Sequence, residues 1–376
     1  MRPMRTATRH ILYLATEYDA PGMRPYARNI INTLWQDGDH VLIVTRSGVD
    51  NQAFPQIPAE NITWIDYPQG KIPRALFRYR PSSVTHAINQ IIAERKIDLI
   101  YSLTGELVLA PSIKRLQRKA PMLYTVHDAV YHDYKFSSPV KWLKDRLIIA
   151  WPQQWLFRHT VNKVTNSQEQ LSLIASRYPK HQACYVPFPS LVNATIADGH
   201  QQVDELKDVD DGYILFFGTV QLYKGVHLLY EAYRSHPELQ KHPLVIAGKG
   251  NLYFDCETDG RRVIHINRFI DDSELRDLFT RAAAVVYPYT SATQSGVTSI
   301  ASYFGRPMVL SDLSYFTQTC HDAEGVFFFP NGNKEALAAS ICDAMNSSAT
   351  TTALYEKIYS PAALHAALED VISRVY

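Results

Sequence analysis

A lysine placed just past a glycine-ended apolar run, and a small-residue loop at the end of a second such run, are the features of this chain best suited to chemistry. In YILFFGTVQLYKG the run Tyr213 to Phe217 meets Gly218 and Thr219, and Lys224-Gly225 opens the next helical pattern. In VVYPYTSATQSGV the second run gives way to Thr293, Gln294, Ser295, Gly296 and Val297 ahead of a helix-compatible segment. Lysine carries a point charge on a flexible stem, which suits a group with several anionic oxygens. Small side chains let a ligand approach the backbone, and the free amides at a helix start suit a phosphate. Ser295 or Thr293 is expected to cap the helix. Both features also fit ordinary structure: a solvated lysine, and a capped helix that holds only water.

The elements that must position these residues alternate along the chain. Apolar runs at His10 to Leu14, Val41 to Val44, Ile62 to Ile65, Leu99 to Tyr101, Met122 to Val126, Val161 to Thr165 and Ala183 to Val186 read as strands, with helical patterns such as Tyr26 to Trp35 between most of them. Ser190 to Gly212 is polar and acidic and reads as a linker or surface excursion. The alternation then restarts. Strands are expected at Tyr213 to Phe217, Leu244 to Ala247, Val263 to Ile266, Val285 onward and Gly325 to Phe329. Helices are expected at Val226 to Tyr233, at Ser273 to Ala282 capped by Asp272 or Ser273, at Lys334 to Met345, and from Pro361 to about Val375. Two doubly wound α/β halves account for the length.

Composition bounds the function. The chain has 376 residues, 46% hydrophobic and 20% charged, with a formal net charge of +1 that gives no reason to expect nucleic acid. Cys184, Cys256, Cys320 and Cys342 are far apart, which argues against a zinc site or a disulfide framework and fits a reducing cytoplasm. No stretch approaches the roughly 20 apolar residues of a membrane span. The segment Ser138 to His159 interleaves Trp142, Trp151 and Trp155 with Lys141, Lys144, Arg146 and Arg158. That composition suits core packing of one helix face, or contact with a membrane surface or lipid-linked acceptor, with Pro152 interrupting any single helix.

The blocks YILFFGTVQLYKGVHLLYEAY, PLVIAGKG, RFIDDSELRDLFTRAAAVVYPY, SGVTSIASYFGRPMVLSD and GVFFFPNGNKEALAASI resemble, in order and spacing, the carboxyl domain of glycosyltransferase family 4. HILYLATEYDAPG, TVHD and NSQEQ resemble its amino domain more loosely. The resemblance implies the GT-B architecture, two Rossmann-like domains across a cleft. The expected division is 1–190 on the acceptor side, a linker at 191–212, a donor domain at 213–358, and a terminal helix at 359–376 that crosses back. It also implies retaining, metal-independent transfer from a nucleotide-sugar to a glycan or lipid-linked glycan acceptor, as in bacterial surface polysaccharide synthesis. A cytoplasmic protein with peripheral membrane contact would fit that role.

Residue by residue, the resemblance places Gly218, Thr219, Lys224, Thr293, Gln294, Ser295, Gly296 and Val297 on the donor's diphosphate and sugar. It places Arg268, Phe269 and Ile270 on the base through their backbone, and His127 with Lys224 at the reacting centre. Histidine suits that place because it can hydrogen-bond a sugar hydroxyl. Glu17, Asp19 and Glu106, in loops at strand ends, are candidate acceptor contacts. The chain also departs from the family pattern. Thr219 stands where an arginine is usual, and Ala292 and Ile300 stand near the places of two glutamates. Two other functions fit the same residues: a nucleotide-sugar epimerase or hydrolase, and a non-catalytic protein that binds a nucleotide or a partner.

Overall fold

The computed structural model describes residues 9–19, 22–35, 38–46, 54–129, 146–292 and 294–375. The chain divides into two compact units, Met1–Pro189 with Leu364–Tyr376, and Ser190–Ala363. Continuous apolar runs, buried on both faces, form an all-parallel sheet in each.

In the first unit the strands are β1 (Arg9–Ala15), β2 (Gly38–Arg46), β3 (Ile62–Asp66), β4 (Leu99–Ser102), β5 (Met122–Val126), β6 (Asn162–Thr165) and β7 (Gln182–Tyr185). Their order is β3-β2-β1-β4-β5-β6-β7. β1 is central: Ile11 lies opposite His40 of β2 on one side and Leu99 of β4 on the other. The helix Pro361–Val375 joins this unit from Leu364 onward. It buries Leu364, Leu368, Val371 and Ile372, one helical stripe, and Glu369 pairs with Arg9 of β1.

The second unit has β8 (Tyr213–Phe217), β9 (Leu244–Ala247), β10 (Val263–Ile266), β11 (Ala282–Tyr287), β12 (Met308–Ser311) and β13 (Val326–Phe329), ordered β10-β9-β8-β11-β12-β13. The order reverses direction between β1 and β4 in one sheet and between β8 and β11 in the other. At such switch points the loops leaving the carboxyl ends part and open a crevice.

Four expectations are corrected. Ser190 to Gly212 is no free linker: Ile196, Val203, Leu206 and Val209 are buried in the core of the second unit. The cap before Leu275–Thr280 is Asp271, whose side chain accepts from Ser273 N while Glu274 reaches back to Asp271 N at 2.9 Å, a capping box. Pro152 does not break its segment. A π-wound turn, Arg146–Ala150, leads directly into the helix Trp151–His159, and the proline lies in the first turn, where its missing N–H is tolerated. Finally, the Val297–Tyr303 helix starts at Gly296 with no side-chain cap from Ser295, and Thr293 lies outside the described residues.

Residues 130–145, including Trp142, Lys141 and Lys144, also lie outside the described residues. In the rest of that segment Leu156 and Phe157 are buried, whereas Leu147 and Trp151 are exposed. Among the described residues no helix is long and apolar enough to cross a membrane.

Candidate active site

The switch point of the second sheet gathers most of the donor-side residues. β8 ends in Gly218, whose φ of +137° only glycine adopts easily, and a Cβ there would stand 3.0 Å from Lys224 Nζ and 4.0 Å from the Tyr289 hydroxyl. Gly248, after β9, has φ +147° and meets Gly218 so closely that a Cβ would fall 2.1 Å from the Gly218 carbonyl. Lys224 ends a 3-10 turn and is only 8% exposed. Its ammonium lies 5.1 Å from the Tyr289 ring centre, and no carboxylate among the described residues pairs with it. Burial therefore pushes its pKa down, opposed weakly by Tyr223.

β11 delivers the facing loop. Thr290 N donates to the Tyr223 carbonyl at 2.7 Å, which docks the two loops together. Ser295 O accepts from the Tyr315 hydroxyl at 3.0 Å, and Val297 O accepts from Tyr287 at 3.3 Å. These bonds use carbonyls and leave the amides of Gln294, Ser295 and Gly296 without a described backbone acceptor. Tyr289 was missed by sequence reasoning. Its place one residue beyond the proline that ends β11 was the available signal, because such a residue falls on the carboxyl edge of the sheet.

In the first unit, His127 follows β5. Its Nε2 lies 2.8 Å from the Leu103 carbonyl and must donate there, so Nδ1 is the acceptor, buried and without a partner among the described residues. Burial lowers the imidazole pKa, which keeps the ring neutral near pH 7. The three acceptor candidates are differently placed. Glu106 is fully buried at the switch point between β1 and β4, after Gly105 at φ +85° and itself strained at φ +29°. Its carboxylate accepts from Thr16 N at 3.2 Å, Thr104 N at 2.8 Å, and the hydroxyls of Ser102 and Thr104. It is therefore an internal brace and is not presented to a ligand, which corrects the expectation. The Asp19 carboxylate is held by Arg24, and Glu17 is half-buried with its amide bonded to Thr104 Oγ1 at 2.9 Å.

Two family patterns match the chain in succession. The one described as a glycosyl transferase 4-like domain covers residues 21–189, and the one described as glycosyl transferases group 1 covers residues 199–360. The chain belongs to the group 1 glycosyltransferases. Among curated relatives, D-rhamnosyltransferase WbpZ of Pseudomonas aeruginosa is 28% identical over 107 residues, 27% of each chain. O-antigen chain mannosyltransferase C of Escherichia coli is 23% identical over 209 residues, 53% of this chain and 55% of that one. The chain thus spans from about a quarter to about half the length of these relatives. Sucrose-phosphate synthase from Thermosynechococcus elongatus has the same fold with a TM-score of 0.68 at 16% identity, over 98% of this chain and 99% of that one. Anabaena HepE, solved with UDP and glucose, gives 0.65 at 14% identity, over 97% and 100%. The fold is GT-B, built from two Rossmann-like doubly wound domains.

For a group 1 glycosyltransferase the departures in sequence now have structural settings. Thr219 is half-buried beside Gly218, and Ile300, 2% exposed, belongs to the hydrophobic core of its unit. The loop expected at the base is tied down by its arginine. Arg268 is clamped between Glu205 at 2.8 Å and both oxygens of Glu274 at 2.7 Å, so its guanidinium is committed and only its backbone is available. Phe269 is 70% exposed beside Lys249, and Ile270 packs against the core. Among the described residues no three His, Cys, Asp or Glu side chains converge as a metal-ligand group.

Glu106 gives this glycosyltransferase a pH signature. Desolvation raises its pKa from the model-compound value of 4.5 to about 7, against the opposing hydrogen bonds from Ser102, Thr104 and Thr16. Between those values the folded state holds more protons than the unfolded one, so stability falls as pH rises through that window and is level above it. Glu106→Gln is expected to flatten the slope. Urea midpoints at about pH 5 and about pH 8 check this. An unchanged slope would mean that the four donors keep the carboxylate ionised throughout.

Proposed function

We propose that this chain transfers a sugar from a nucleoside diphosphate sugar to a glycan acceptor, with retention of anomeric configuration and without a metal. One observation carries the reading: a largely buried ammonium, Lys224, without a carboxylate partner among the described residues, at the switch point of a Rossmann-like sheet and beside Gly218. A buried cation is costly unless an anion compensates it, so the site is built for one that arrives. Breaking a sugar–diphosphate bond develops negative charge on the leaving phosphate. Lys224 and the amides of Gln294, Ser295, Gly296 and Val297 would supply the compensating charge and hydrogen bonds, and Thr219 would add a hydroxyl.

His127 Nδ1 would accept a hydrogen bond from a sugar hydroxyl. The backbone of Arg268, Phe269 and Ile270 would hold the base. The names of the relatives, a D-rhamnosyltransferase and an O-antigen chain mannosyltransferase, support a hexose or deoxyhexose donor and a surface polysaccharide acceptor. The UDP and glucose in HepE support a nucleotide-sugar. Exposed Leu147 and Trp151 beside Arg146 favour a lipid-linked form of the acceptor.

A calorimetric and thermal-shift screen against UDP, GDP, dTDP and their sugars, with and without chelator, tests the reading. One base should stabilise the protein, by about 2.7 kcal/mol at a hundredfold excess over Kd. Transfer to free and lipid-linked glycans, with the product anomer read by NMR, follows. No response to any nucleotide overturns the proposal. His127→Ala is expected to cut transfer at least about a hundredfold while leaving nucleotide affinity within about twofold, the pattern of a contact made at the sugar. Loss of nucleotide binding instead would make the histidine structural.

A further inference from the structure

The Tyr289 hydroxyl is buried and makes no well-formed hydrogen bond among the described residues. A satisfied phenol is the norm inside a protein, and an orphan costs stability. The ring cannot turn away to find a partner, because three aromatic neighbours hold it edge-on: Phe316 at 5.5 Å, Tyr287 at 5.9 Å and Tyr223 at 6.0 Å between ring centres. The hydroxyl flanks Gly218 together with Lys224 Nζ and lies near the Ser295 side chain, whose influence on the phenol opposes that of burial. Resting on the nucleotide-sugar reading above, we propose that Tyr289 donates a hydrogen bond to a diphosphate oxygen seated on Lys224, sharing the charge of the leaving group.

Two further facts favour it. Burial raises the phenol's pKa well above its ordinary value, so the proton stays on oxygen and the group acts as a donor throughout the neutral range. Thr219, the neighbour of Gly218, carries no positive charge, so Lys224 is the one cation of its own loop between Gly218 and Gly225. A second donor at the same gap adds stabilisation of phosphate charge without burying a second cation.

Tyr289→Phe keeps the ring and removes only the hydroxyl. In the whole 376-residue chain, unliganded thermal stability should be unchanged or higher, because an unsatisfied buried group is lost. Affinity for inorganic pyrophosphate, and for whichever of UDP, GDP and dTDP the wild type binds, should fall about tenfold, the scale of a hydrogen bond to a charged acceptor. If the wild type binds nucleotide and the variant binds it equally well, the Tyr289 assignment is wrong and the nucleotide-sugar reading stands. If the wild type binds neither pyrophosphate nor any nucleotide, both fall.

Discussion

Replacing Lys224 by methionine is expected to weaken nucleoside diphosphate binding about tenfold to a hundredfold and, at the same time, to raise the melting temperature of the unliganded protein. Both effects have one cause. The ammonium lies almost wholly out of water without a carboxylate partner among the described residues, so the folded state carries its desolvation cost until an anion arrives. Methionine fills similar space without the charge, which removes the cost and also the charge-assisted hydrogen bond to phosphate, worth about 1.5–3 kcal/mol. The sign with pH follows. A lysine whose folded pKa is lowered releases its proton earlier than in the unfolded chain, so stability rises with pH between the lowered value and the ordinary one. Lys163 in the other unit, buried and lowered to about 7, contributes the same sign. The readout is therefore the difference in slope between wild type and Lys224→Met, measured by urea unfolding alongside calorimetric titration of the nucleotide. Equal affinity in the two proteins would remove Lys224 from the diphosphate.

Gly225→Ala should have the largest effect on stability. Gly225 has φ +66°, and a Cβ there would fall 1.9 Å from the Pro288 carbonyl oxygen and 3.0 Å from its carbon. Those are backbone atoms at the end of β11, and no rotamer change relieves the overlap. The loop carrying Lys224 and the loop carrying Tyr289 would have to separate, breaking the bond from Thr290 N to the Tyr223 carbonyl. A loss of about 3 kcal/mol or more is expected, together with loss of nucleotide binding. Gly218→Ala is the companion variant, because its Cβ would press mainly on the far end of Lys224. It should lower affinity with a smaller loss of stability. A Gly225→Ala protein as stable as the wild type would show that the two loops are not closely docked.

The sheets were legible because most of the parallel strands contain an uninterrupted apolar run, and YILFF or LVIA leaves few alternatives once Gly218 or Gly248 follows. The Gly218–Lys224 pairing was legible for a similar reason, since both residues belong to one short loop. What was hidden depended on distant partners. Glu106 has the composition of an exposed loop carboxylate, and the Thr16 amide, ninety residues away in the chain, joins the local donors Ser102 and Thr104 in making it a buried brace. Ile196, Val203, Leu206 and Val209 are single apolar residues scattered through a polar, acidic run, and those surroundings concealed a packed segment. The DDS run at Asp271 offers three plausible caps, and the choice falls to Asp271 because Glu274 is held in place by Arg268. Tyr289 gained its meaning only when β8 and β11 proved to be neighbours.

The route of the chain also sets the order in which the protein can be completed during synthesis. Residues up to Pro189 emerge first, yet their unit lacks the helical segment from Leu364 onward until the whole of Ser190–Ala363 has been made. The first sheet therefore waits with the surface that receives Leu364, Leu368, Val371 and Ile372 uncovered, while the later-made unit is a continuous segment that can fold as soon as it leaves the ribosome. A nascent chain stalled before residue 364 would expose that apolar surface to chaperones, and a protein clipped near residue 360 would lose stability in the unit farthest from the cut in sequence.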